Sequence, residues 1–243
     1  MTPFKHLHKF GREFLDFFFP RFCCMCEKRL ALTEKHICVG CLRELNRIPY
    51  EGNDKHGVIE RLFWGKIPIE RATSMFLYEG ENTRKILHSI KYFDKPEIAA
   101  MLAKTFVQES EGNGFFDGID MIIPVPLAKK KARKRGYNQC DFIAKGLGQT
   151  TDITVRDDIV KRVVNNPTQT HLSPQERKTN VQGIFQVVKP EELKGKHVLI
   201  VDDVITTGST VLSLAEEIAK TQDVKISVFS LAFAGEMITS NLP

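Results

Sequence analysis

His197-Val-Leu-Ile-Val-Asp-Asp-Val-Ile-Thr-Thr-Gly-Ser-Thr210 is the stretch around which the rest of the chain can be arranged. It opens with His197-Val-Leu-Ile-Val201, a continuous apolar run rich in β-branched residues. Such a run reads as a strand buried on both faces, the kind found in parallel sheets. Asp202 and Asp203 stand where that strand is expected to end. Thr206, Thr207, Gly208, Ser209 and Thr210 form a small, hydroxyl-rich turn. The spacing of Val211, Leu212, Leu214, Ala215, Ile218 and Ala219 predicts a helix directly after it. Strand, acid pair, turn and helix start together make a site for a phosphorylated sugar. The N–H groups of the turn and of the helix N-terminus face a phosphate, with Ser and Thr hydroxyls as further donors. The two carboxylates accept hydrogen bonds from vicinal sugar hydroxyls. Gly208 lets the backbone come close to the ligand.

Two commoner phosphate loops are excluded. A Walker A loop needs a second glycine followed by lysine, and neither is present. A dinucleotide fingerprint needs three glycines, and this turn has one. What remains closely resembles the phosphoribosyl-pyrophosphate (PRPP) signature of type I phosphoribosyltransferases.

The 243 residues allow one large domain, or a medium domain with a small one. A hydrophobic content of 42% with 27% charged residues is that of a soluble globular chain with a real core. The net charge of +5 suits anionic ligands and leaves nucleic acid open as a partner. No apolar run is long enough to span a bilayer, and the short Phe14–Phe19 segment lacks the features of a signal peptide. The expected location is the cytoplasm, where six cysteines do not read as a disulfide framework.

Phe4, Leu7, Gly11, Phe14, Leu15 and Phe18 fall on one helical face, predicting an N-terminal amphipathic helix that packs on the rest of the chain. A membrane-surface or partner helix is the other reading. Next come Cys23-x-x-Cys26 and, after eleven residues, Cys38-x-x-Cys41. Two such knuckles present four thiolates to a structural Zn2+ and leave no open coordination position for chemistry. Cys24 is spare. Polar residues 50–57 read as a linker, and 58–74 give no firm assignment.

An α/β pattern follows. Met75–Tyr78 reads as a short strand, Asn82–Tyr92 as a helix, and a second helix starts near Pro96. Ile119–Ile123 reads as a strand stopped by Pro124-Val-Pro126. Lys129–Arg135 then places six bases in seven residues. The plain reading is a solvated helix face. The run directly follows a strand end, however, where α/β proteins bind ligands. Its bases could hold pyrophosphate oxygens, Arg in bidentate fashion. Equally, Lys130, Arg133 and Arg135 could track a single-stranded nucleic acid, with Tyr137 as a stacking platform. A helix carrying Phe142, Ile143 and Leu147 follows, with Cys140 at its start as a small filler. Strands are expected at Ile159–Val164, Ile184–Val188 and Lys225–Ala234. Ser173-Pro-Gln-Glu176 predicts a helix start.

Taken together, these motifs resemble the ComF/GntX family of phosphoribosyltransferase-like proteins over nearly the whole length. The resemblance is carried by the paired CxxC, Lys91-Tyr92, Pro124-Val-Pro126 and Arg135-Gly-Tyr-Asn-Gln139. It continues through Arg162, Gln169, Leu172, Arg177, Asn180 and Phe185 to VLIVDDVITTGST. Cys140 and Cys24 depart from the family pattern, and neither touches the ligand argument.

The resemblance implies a type I phosphoribosyltransferase fold, a parallel sheet flanked by helices, with a small N-terminal zinc module built on Cys23, Cys26, Cys38 and Cys41. The expected division is an N-terminal helix (1–20), a zinc module (21–50), a linker and packing segment (51–74) and the phosphoribosyltransferase-like domain (75–243). It implies PRPP bound with Mg2+. In that reading Asp202 and Asp203 are catalytic and clamp the ribose hydroxyls, while Thr206 to Thr210 hold the 5′-phosphate. Lys91, Val125, Pro126 and Arg135 face the pyrophosphate, and Gln169, Arg177 and Asn180 form a loop over the site. It further implies a role in handling single-stranded DNA during natural transformation, alongside DNA-uptake machinery. Pentosyl transfer from PRPP in nucleotide salvage is the alternative. No nucleobase-reading segment is recognisable, which weakens that alternative.

Overall fold

The structure, a computed structural model, describes residues 18–50, 57–92, 95–163 and 183–235. Five parallel strands form the central sheet: β1 (Arg71–Leu77), β2 (Met121–Pro124), β3 (Thr154–Val155), β6 (His197–Ile205) and β7 (Lys225–Phe233), in the order β1-β7-β6-β2-β3. The apolar runs explain the position of β6 and β7 at the middle, where both faces are covered. Leu199 and Val201 face one layer and Val198 and Ile200 the other, as period-2 alternation requires.

The first layer contains α2 (Gly80–Tyr92), α3 (Glu97–Glu109) and α5 (Gln139–Thr151), packed through Ile86, Ile90, Leu102, Ile143 and Leu147. The helices α3 and α5 come so close at Gly146 that an added Cβ would lie 2.9 Å from the Cβ of Ala103. The second layer is α6 (Ser209–Ile218) with the turn of 3-10 helix at Glu60–Phe63, packed through Val211, Leu214, Ile218, Ile59 and Phe63. The basic run forms the short helix α4 (Lys129–Arg135), none of it buried.

Several expectations change. The strand expected from Met75 begins at Arg71, so a boundary at 75 would cut it. Arg71 is buried because its guanidinium donates to the carbonyls of Gly114, Phe115 and Asp117, so a charged residue opens a central-sheet strand. The residues without a sequence assignment supply Ile59 and Phe63 to the core. The strands near Ile159 and Ile184 are β4 (Val160–Arg162) and β5 (Phe185–Val187), and they pair antiparallel as a ribbon outside the parallel sheet. The two-residue β3 is too short to show a period in the sequence. Apart from Phe18 and Phe19, the expected N-terminal helix lies outside the described residues, as do the helix expected from Ser173 and residues 51–56.

The cysteine region, which carries the short helix α1 (Val39–Arg43), is joined to the sheet by more than a linker. Met25, Leu30, Ile37, Cys41 and Leu45 share one core with Met75, Phe76 and Ile90. Residues 46–48 run antiparallel along the outer edge of β1, with Leu77 N donating to Asn46 O and Ile48 N to Met75 O. An otherwise open sheet edge is thereby covered. Arg47 adds a two-pronged ion pair to Glu109 at 2.8 and 2.9 Å.

Candidate functional site

The acid pair lies within β6, because β7 continues beside it: Asp202 is in register with Ser230, and Ile205 with Phe233. On the other side β2 stops at Pro124 opposite Val201, and Val125 N donates to Val201 O at 2.9 Å. The acids therefore stand where one neighbouring strand has ended and the other has not. Both are buried. Successive strand side chains take opposite faces, which gives the two carboxylates different surroundings.

Asp203 Oδ2 receives Lys91 Nζ of α2 at 2.8 Å and Gln139 Nε2 of α5 at 2.9 Å. Gln139 in turn accepts a hydrogen bond from Arg135. The Arg135 guanidinium also lies 5.5 Å over the ring of Tyr92. Asp202 Oδ1 accepts from the Asp203 N–H at 2.8 Å and faces the Cys140 thiol at 3.5 Å. Burial, reinforced by the neighbouring Asp203 charge, pushes the Asp202 carboxyl up to about 7. Burial likewise holds the Cys140 thiol well above its ordinary value, so it is a neutral filler rather than a nucleophile. Burial draws the Arg162 guanidinium down while the Asp202 charge opposes it. The Arg162 guanidinium lies 5.3 Å over the Phe185 ring.

The turn follows directly. Gly208 takes the left-handed conformation at φ 73° and caps α6 without a side-chain hydrogen bond. Thr206, Thr207 and Ser209 are exposed, and Thr207 Oγ1 donates to Ser209 Oγ at 3.2 Å. First-turn N–H groups of a ten-residue helix and three exposed hydroxyls thus meet at one place. A Cβ at Gly208 would lie 3.4 Å from the Phe63 ring.

Lys91, Arg135, Asp202, Asp203 and the Thr206–Thr210 turn are thus brought to one end of the sheet. Val125 is buried and its carbonyl accepts from Asn138 Nδ2 at 3.1 Å, while Pro126 is half-buried. Lys130 and Arg133 are exposed on α4. Tyr137 is half-buried, its hydroxyl donating to Ile90 O and its ring packed edge-on against Phe142 at 5.8 Å. Tyr92, 60% exposed, is the more open aromatic beside the basic helix. Gln169, Arg177 and Asn180 lie outside the described residues. Sequence reading missed Gln139 as a site residue. It belongs to the Arg135-Gly-Tyr-Asn-Gln139 motif, but its partner is 64 positions away and no local pattern shows the pairing.

The second candidate site is the cysteine cluster. The sulfurs of Cys23, Cys26, Cys38 and Cys41 all lie within 4.8 Å of one another, and Cys26 Sγ is 3.8 Å from Cys38 Sγ. Tetrahedral thiolates at Zn–S about 2.3 Å stand about 3.8 Å apart, so the donor set could hold a metal ion of that size. Backbone N–H groups of Cys38 and Cys41 point at Cys23 and Cys38 sulfurs at 3.4 Å each.

The model of the phosphoribosyl transferase domain matches residues 91–236. The chain belongs to that family. It is 31% identical over 222 residues to the DNA utilization protein YhgH of Salmonella typhi, covering 87% of this chain and 96% of that one. It is 29% identical over 229 residues to Competence protein F of Haemophilus influenzae, covering 89% and 99%. It is 23% identical over 194 residues to Competence protein ComFC of Bacillus subtilis, covering 77% and 73%. The first two matches are too long to be confined to the phosphoribosyl transferase domain. They agree with the ComF-type resemblance drawn from the cysteines and the motifs. Among the described residues no helix is long and apolar enough to cross a membrane.

Proposed function

We propose that this chain binds PRPP with Mg2+ at the end of β6 and acts on single-stranded DNA during its uptake in natural transformation. The observation that carries the sugar site is Asp203, held by Lys91 and Gln139 beside the Gly208 turn. In this reading Asp202 and Asp203 take the ribose hydroxyls and Thr206 to Thr210 the 5′-phosphate. Lys91, Arg135 and the Val125–Pro126 segment lie toward the pyrophosphate. Two carboxylates and phosphate oxygens are the hard donors Mg2+ requires. The ion would neutralise the pyrophosphate charge. The nearby carboxylates would offset positive charge on the sugar if pyrophosphate leaves.

The DNA part is supported by the exposed bases of α4, Tyr92 and Tyr137 beside them, and the printed names of the relatives. Zn2+ in the cysteine module (21–50) completes the reading, as a structural ion that shapes one end of the surface. The working location is the cytoplasm, and DNA-uptake proteins are the partners.

One observation favours the alternative, pentosyl transfer to an acceptor in salvage. A cavity of about 390 Å³ opens beside Pro124, lined by Asp141, Lys145, Gln149, Val155 and Asp157, where an acceptor would have room. Titration calorimetry with PRPP, with and without Mg2+, tests the binding claim. Pyrophosphate release with and without nucleobases then separates the two. Release that depends on a nucleobase would favour salvage, and binding without release would favour the DNA-handling reading.

A further inference from the structure

Gln139 is 5% exposed and stands between two groups of fixed character. A guanidinium only donates hydrogen bonds, and an ionised carboxylate only accepts them. The amide of Gln139 therefore has one orientation that satisfies both neighbours: oxygen toward Arg135, nitrogen toward Asp203. Lys91 meets the same carboxylate oxygen, Oδ2, so the described donors leave Oδ1 for another partner.

We propose that Gln139 is a positioning residue that couples the basic helix to the acid pair. It commits one oxygen of Asp203 to the protein and links that carboxylate to Arg135. This inference rests on the reading of Asp203 as the sugar clamp. An anion drawn to Arg135 and a sugar drawn to Asp203 then act on the two ends of one amide. Binding at either end changes the free energy of the other, because such coupling is reciprocal.

Gln139→Glu tests the direction of the hydrogen bond. The variant still offers Arg135 an acceptor, but the introduced carboxyl donates to Asp203 only when protonated. The groups facing this position are Lys91 from α2, Arg135 from α4 and Asp203 from β6, while Asp202 takes the opposite face of the strand. Cys140 and Arg162 lie on the Asp202 side. The PRPP·Mg2+ affinity of the wild type divided by that of Gln139→Glu should be about tenfold or more at pH 8.5 and should narrow toward one near pH 5.5. A structural role alone would leave that ratio independent of pH. Gln139→Leu and the near-isosteric Gln139→Met should lose about tenfold at both pH values, with thermal melts confirming that they fold.

A ligand-free arm separates this inference from the sugar reading. Arg135→Met and Asp203→Asn are combined in a double-mutant cycle on melting temperature, in the wild-type and Gln139→Met backgrounds. Non-additivity with Gln139 present and additivity without it are expected. Additivity in both backgrounds, or a pH-independent affinity ratio, would overturn the relay. A folded wild-type chain that takes up no PRPP·Mg2+ would overturn the sugar reading, and the cycle would still decide whether the relay exists.

Discussion

Helix α2 touches both candidate sites, and the sites are built in opposite ways. Near its middle, Lys85 Nζ donates to the Met25 carbonyl of the cysteine loop at 3.5 Å. Six residues on, roughly 9 Å along the axis, Lys91 meets Asp203. The cysteine site takes all four donors from residues 23–41, and its apolar neighbours extend the main core. The acid site draws on α2, α4, α5 and β6, and it buries two adjacent carboxylates. One region gathers donors that could hold a metal ion from a single short stretch of chain. The other holds charge where the fold alone would not place it.

Metal removal is the largest test of that contrast. If the cysteine region were an independent module, chelation would unfold it and leave the domain's melting transition in place. The shared core of Met25, Leu30, Cys41 and Leu45 with Met75 and Phe76 predicts otherwise. Structural zinc contributes on the order of 10 kcal/mol in small peptides. Chelation, or Cys41→Ser, should therefore lower the main calorimetric transition of the whole chain. Metal analysis should give one zinc per chain in reduced protein, and an unmoved main transition would separate the two regions.

Asp202→Asn tests the opposite sign. The folded-state carboxyl sits above its ordinary value, so its protonated form favours the fold. That contribution is present below about pH 4, the unfolded value, and is lost as pH rises through about 7. The variant should thus melt higher than the wild type at pH 8, by on the order of 1–2 kcal/mol, with a smaller difference at pH 5. The same variant should bind PRPP·Mg2+ more weakly. A destabilised variant at pH 8 would show that Asp202 supports the fold. Gly208→Val should cost about 1–2 kcal/mol, since the left-handed conformation suits glycine and the Phe63 ring lies 3.4 Å from the new Cβ. Its PRPP affinity should fall further than that stability loss.

The smallest effect concerns the basic helix. Replacing Lys130 and Arg133 with Ala, while leaving the site-linked Arg135, should weaken single-stranded DNA binding at low salt. The salt slope should fall by about 1.4 if both residues contact phosphate. An unchanged slope would move the DNA surface away from α4.

The difference between the two regions also explains what could be read from the sequence. The cysteine cluster is local, so spacing alone exposes it. The central strand, acid pair, turn and helix are also contiguous, and the structure assembles them in that order with β6 extended to Ile205. What spacing could not show depends on contacts between distant segments. Arg71 opens β1 only because the carbonyls of residues 114–117 receive its guanidinium. Residues 46–48 look like the end of a module until β1 lies beside them. Gln139 is a helix-start residue in the sequence and a bridge from Arg135 to Asp203 in the fold.

The central claim is that Asp203 is retained for a sugar ligand rather than for the fold. The Lys91 pair is mostly buried, but Asn keeps an oxygen acceptor for Lys91 and Gln139 and removes a charge that opposes the neighbouring Asp202, so the net change in stability should be small. The direct test is titration calorimetry of PRPP·Mg2+ into Asp203→Asn, with melts of the ligand-free protein alongside. Affinity should drop about ten- to hundredfold, the cost of a charge-assisted hydrogen bond, while the melting temperature stays near the wild-type value. Wild-type affinity in Asp203→Asn would contradict the account.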